Sequence, residues 1–92
     1  MPATFKIFGT LVLRSRKQLI AFGDLIEGEV ARGMELTAPG EPKATRTVDA
    51  IEYVELKSLR ERHPGLVLHC DDPAELDAWR DRLREGVIIS LK

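Results

Sequence analysis

The chain has 92 residues with 14 Lys and Arg against 15 Asp and Glu, a net charge of −1, so no global charge draws it onto nucleic acid or a membrane surface. Hydrophobic residues make up 43% and charged residues 32%, which excludes wholesale disorder and suits one domain, 1–92, with a single core. The lone Cys70 excludes an internal disulfide, and no apolar run approaches the roughly 18 residues of a membrane helix, so a cytoplasmic protein is expected.

Residues 3–13 set Phe5, Ile7, Leu11 and Leu13 on one face and Lys6 and Thr10 on the other, the alternation of a strand with one buried side. Gly9 continues the inward row without a side chain, which predicts a bend or bulge. Arg14-Ser15-Arg16-Lys17 is the first polar break. The apolar run Leu19–Phe22 follows, and Gly23-Asp24 is expected to close it. Glycine then recurs at 23, 28 and 33, with Leu25, Val30, Met34 and Leu36 between and after, a pattern of short strands that turn sharply.

Residues 37–44 hold two prolines and a glycine and read as a turn or loop. Thr45–Glu55 alternates as a strand, 56–65 reads as a charged loop ending in Pro64-Gly65, and Leu66–Cys70 is a compact strand. Asp72-Pro73-Ala74-Glu75 then predicts a helix start: Asp72 as cap, Pro73 in the first turn, Glu75 completing a capping box. Leu76, Trp79 and Leu83 form a narrow apolar stripe, and Asp77–Arg80 and Asp81–Arg84 are i,i+3 ion pairs on the wet side. Gly86 is placed to end this helix, about 73–85, and Val87–Leu91 is a last strand. The pattern is mainly β: an antiparallel barrel of six strands with one α-helix before the last.

The run Gly23-x-Leu25-x-x-Gly28-x-Val30-x-x-Gly33-Met34-x-Leu36 resembles the second-domain barrel of the translational GTPases, the elongation factor Tu domain 2 family. The resemblance runs from about Phe5 to Leu68 and resumes at Gly86-Val87-Ile88. It implies a Greek-key barrel of the translation-protein type and a non-catalytic module contacting RNA or a translation-related protein. The family's Gly-Arg-Gly loop near the end of tRNA corresponds here to Arg16-Lys17-Gln18, without either glycine. Against the family pattern the 73–86 helix is an insertion that would plug or cap the barrel.

The candidate nucleic-acid contacts are Arg14, Arg16 and Lys17 in one turn and Arg60 and Arg62 in another, since arginine matches phosphate oxygens bidentately. The competing reading is two solvated loop tips on a protein-interaction or self-associating domain, because no aromatic residues interleave with these cations. Trp79 reads as core rather than as a stacking platform. His69 and Cys70 are strand neighbours on opposite faces and cannot chelate one ion together, so no metal, cofactor or catalytic group is expected. No Gly-x-x-x-x-Gly-Lys-Ser/Thr occurs in the sequence, so a phosphate-cradling loop is missing. The protein is therefore expected to show no binding in a calorimetric titration with micromolar GTP.

Overall fold

The computed structural model describes residues 2–56 and 61–92. Among them lie the strands β1 (Ala3–Leu13), β2 (Gln18–Glu27), β3 (Glu35–Ala38), β4 (Glu41–Leu56), β5 (Glu61–His69) and β6 (Ile88–Leu91). A 3-10 turn, Arg14–Arg16, joins β1 to β2, and the helix α1 (Pro73–Arg82) precedes β6. Every pairing is antiparallel, and the strands close in the order β1-β2-β5-β4-β3-β6. β3, β4 and β5 are successive neighbours while β2 returns to lie beside β5, which makes the closed barrel a Greek key.

Phe5 and Ile7 are fully buried and begin the inward row of β1, as their spacing predicts. A register shift between Ile7 and Gly9 then inserts the expected bulge. It also changes the phase of the strand. Thr10 and Val12 now oppose the core residues Ala21 and Leu19, while Leu11 pairs with Ile20 and is 45% exposed. The expectation that Leu11 and Leu13 face inward fails for this reason: one extra residue exchanges the two faces.

Gly23-Asp24 does not close a strand. β2 runs through both residues to Glu27, with Asp24 opposite Lys6 and Leu25 opposite Phe5. Gly23 is glycine because a Cβ there would lie 1.8 Å from the Lys6 carbonyl oxygen, so two backbones cross where no side chain fits. Gly28 and Gly33, at φ +80° and +93°, are the true turns of the ladder.

The expected loop 37–44 contracts to Pro39-Gly40, with Gly40 at φ +74°, between β3 and β4. Proline at the first corner and a positive φ at the second suit a type II turn. The register jumps from Thr37↔Thr45 to Ala38↔Glu41, so 42–44 stand outside the ladder, where a proline does no harm. The expected loop 56–65 is also shorter. β5 already begins at Glu61 and pairs with β4, and 57–60 lie outside the described residues. Pro64 opposes Tyr53, and Gly65 allows β5 to approach Glu52 and Ile20, since a Cβ there would meet the Glu52 oxygen at 2.9 Å.

α1 starts as its sequence predicts. The Asp72 carboxylate accepts from the Ala74 N–H at 2.9 Å, and Pro73 opens the first turn. Leu76, Trp79 and Leu83 are at most 2% exposed and close one end of the barrel. The helix ends at Arg82, three residues short of expectation, because the chain beyond it is captured by β1. Gly86 N–H donates to the Ile7 carbonyl at 2.7 Å, and Ile7 N–H donates to the Val87 carbonyl at 2.8 Å. Asp77–Arg80 forms at 3.8 Å, whereas Arg84 Nε donates to the Asp81 backbone carbonyl rather than to its carboxylate.

Trp79→Ala is expected to cost about 3–5 kcal/mol in urea unfolding, the range for a buried aromatic, and a loss below about 1 kcal/mol would remove the helix from the core. Gly23→Ala should destabilise more than Gly33→Ala. Gly33 has nothing within 4 Å of its added Cβ and carries only the roughly 1–2 kcal/mol strain of its left-handed backbone.

Candidate interaction surfaces

The basic turn between β1 and β2 lies at the α1 end of the barrel. Lys17 adopts φ +53°, the one positive φ outside glycine among the described residues, and its carbonyl accepts the Cys70 N–H at 2.9 Å. This bond ties the turn to the start of the α1 connection. Arg14 is committed to the helix, with its Nη2 2.7 Å from Asp77 Oδ1. Arg16 and Lys17 remain exposed.

Arg62 is exposed on β5 opposite Glu55, and Arg60 lies outside the described residues. Gln18, next to Lys17, pairs with His69, whereas Arg62 is seven residues back along the same strand. At about 3.3 Å per residue that separates the two sites by roughly 23 Å. The structure therefore does not gather Arg14, Arg16 and Lys17 with Arg62 at one end. The extension of β5 to Glu61, illegible in its Pro-Gly sequence, carries Arg62 away.

Beside α1, β4 builds a cationic cleft of about 240 Å³ lined by Lys43, Arg46, Glu75, Trp79 and Arg82. Arg46 and Arg82 lie against the Trp79 ring at 5.9 and 5.1 Å, favourable cation–π geometry. Both arginines also hold carboxylates: Arg46 pairs with Glu75, and Arg82 Nε lies 2.7 Å from Glu41. Arg46 Nε is buried without a hydrogen bond among the described residues. With the carboxylates in place, the cleft is a clamp that fastens α1 to β4.

Cys70 is buried, and His69 beside it has a side chain 45% exposed, as opposite strand faces require. Burial pushes the Cys70 thiol up, and the neighbouring Arg46 guanidinium offsets part of that. His69 Nε2 lies 2.8 Å from Asp71 Oδ1, and this hydrogen bond holds the Asp71 carboxyl below its usual range. Among the described residues no group of three or more His, Cys, Asp or Glu is placed to hold a metal ion.

At the opposite end, His63 is buried although Arg60-Glu61-Arg62 precedes it and Pro64-Gly65 follows it in sequence. Its ring meets Phe8 edge-on at 5.0 Å, and Nδ1 lies 3.3 Å from Asp24 Oδ1. By sequence His63 falls in the expected 56–65 loop. The missing signal was the strand register that sets His63 opposite Val54.

The outer wall carries what the sequence reading missed. Ile26 is 53% exposed, Ile88 55% and Tyr53 71%. Ile26 is the extra residue where the β1–β2 register shifts between Thr4 and Phe5. Ile88 lies opposite Lys6, whose other partner is Asp24. No described helix is long and apolar enough to cross a membrane.

Cys70 should resist a thiol reagent in the native state and react fully in urea. Its raised pKa favours the protonated native thiol, so its stabilising effect is intact below the ordinary value of 9.0 and is lost as pH rises through the native value. Unfolding midpoints of wild type and Cys70→Ser should then converge in part above that pH. No protein-family model, curated protein sequence or solved structure matches this chain.

Proposed function

We propose that the chain is a non-catalytic binding module that engages a protein partner through the outer face of β2, β1 and β6. The observation that carries this reading is the exposure of Ile26 and Ile88 on the two strands that flank β1. Adjacent strands lie about 4.8 Å apart, so two spacings, about 10 Å, separate the two isoleucines, and one partner surface can cover both. Thr4, Lys6, Asp24 and Ser90 surround them with polar groups, the arrangement of an apolar centre and a hydrated rim. The ionisable groups that approach one another are engaged in structural contacts. Asp72 caps α1, Glu75 holds Arg46, and the Cys70 thiol is buried.

The exposure of Arg16 and Lys17 favours a second reading, contact with RNA or a translation-related complex, which the family resemblance also implies. Phosphate contacts through so few cations would be weak and strongly salt-dependent.

The two readings separate in a capture experiment with tagged protein in source-cell lysate, with and without ribonuclease. A partner that survives ribonuclease and is lost with Ile26→Asp and Ile88→Asp, at unchanged circular dichroism, supports protein contact. Loss on ribonuclease treatment and on Arg16→Glu with Lys17→Glu overturns it in favour of RNA.

A further inference from the structure

The far half of β4 has an open edge. Up to Val48 the strand is bonded on both sides: Val48 N–H donates to the Met34 carbonyl at 2.8 Å, and its carbonyl accepts from Gly33 at 2.8 Å. Beyond it, Asp49–Leu56 pairs only with β5 among the described residues. Eight residues of extended chain span about 26 Å. After the bulge between Val48 and Ala50 this stretch has no further register shift.

The direction of its unpaired groups follows from the pleat. Val48 points its side chain into the core and its backbone N–H and C=O toward β3. Ile51 opposes the core residue Leu66 and so shares the inner face, and Tyr53 and Glu55 follow it at period two. Those three residues therefore present N–H and C=O on the open edge, whereas Glu52 and Val54 bond to β5. Pro64, opposite Tyr53, has no N–H to give β4, which fits this assignment.

The edge also has a charge. Between Thr47 and Leu56 the ionisable side chains with a formal charge are Asp49, Glu52 and Glu55, all acidic. A second copy laid antiparallel with Glu52 opposite Glu52 would also set Asp49 against Glu55, carboxylate on carboxylate. An extended segment rich in lysine or arginine would instead be complementary.

We propose that the Asp49–Leu56 edge of β4 accepts an extended cationic segment of a partner protein as an added strand. Ile51, Tyr53 and Glu55 supply the backbone hydrogen bonds, Tyr53 covers the partner's apolar face, and Glu52 receives its basic side chains. This adds a second contact surface, separate from the β2, β1 and β6 face, and rests on the reading of the chain as a protein-binding module.

The probe is a capped ten-residue peptide of alternating lysine and valine, added to the full chain. Amide hydrogen exchange, resolved by NMR, reports the site. In free protein the Ile51, Tyr53 and Glu55 amides should exchange fast and those of Glu52 and Val54 slowly. Peptide should slow the first three at least tenfold. Tyr53→Pro should abolish that binding, because it deletes an outward N–H and leaves the β5 ladder intact. Tyr53→Ala should retain part of it. A glutamate–valine peptide should not bind.

Unchanged exchange at these three amides with millimolar peptide overturns the proposal, as does equal binding of the acidic peptide. Protection that grows with protein concentration alone would assign the edge to a second copy and overturn the cationic partner. If a lysate partner depends on Ile26 and Ile88 while these amides stay unprotected, this proposal falls and the module reading stands.

Discussion

Closure of the barrel depends on β6, a strand of four residues. It pairs with β1 on one side and β3 on the other, and with Lys92, whose backbone exchanges hydrogen bonds with Glu35, it joins the two ends of the sheet. Ile89 and Leu91 point into the core, at 2% and 0% exposed. Without that strand, β1 and β3 would both present unpaired edges. The chain reaches β6 only through α1, and the same helix seals the barrel with Leu76, Trp79 and Leu83. Closure and capping are therefore one event. The backbone bonds between Ile7 and Gly86-Val87 fix where the helix stops and the strand begins.

The same constraint explains why the two ends differ. β3 and β6 are four residues each, whereas β4 has sixteen. Short strands cannot cover a long one, so among the described residues the second half of β4 pairs with β5 alone, in a two-stranded ribbon whose His63 packs against Phe8 and Asp24. The α1 end is fastened by Arg14–Asp77, Arg46–Glu75 and Arg82–Glu41 around Trp79. One end is thus closed by apolar packing and ion pairs, and the other offers backbone and side chains to solvent.

That asymmetry also reorders the candidate contacts. Arginines that read as a phosphate patch in sequence are partly occupied: Arg14 holds α1, and Arg62 stands on the far ribbon opposite Glu55. Exposed surface pairs at such positions contribute little to stability, yet they decide which cations remain available. The large apolar side chains more than half exposed among the described residues are Ile26, Ile88 and Tyr53. Two of these owe their position to a register shift or to strand-length mismatch, features that belong to the assembled sheet.

What the sequence determined by itself was local. Asp72-Pro73 sets the helix start because a carboxylate and a fixed φ satisfy the first turn from within. Gly9 marks a bulge, the alternation of Phe5 and Ile7 marks an inner face, and the adjacency of His69 and Cys70 sends them to opposite sides. Tertiary structure decided the rest. Gly23 and Pro64-Gly65 look like chain breaks in sequence, yet they lie inside strands because another backbone approaches there, a cause that resides in a distant residue. Leu11 faces outward because a bulge two residues earlier reversed the pleat. Arg62 and His63 are placed by the register of β5 on β4. The open β4 edge follows from the unequal lengths of strands far apart in the chain. Period and capping chemistry act over a few neighbouring residues, so they can be read along the chain; register, close approach and uncovered edges are properties of pairs of strands, and only the closed barrel fixes which strands those are.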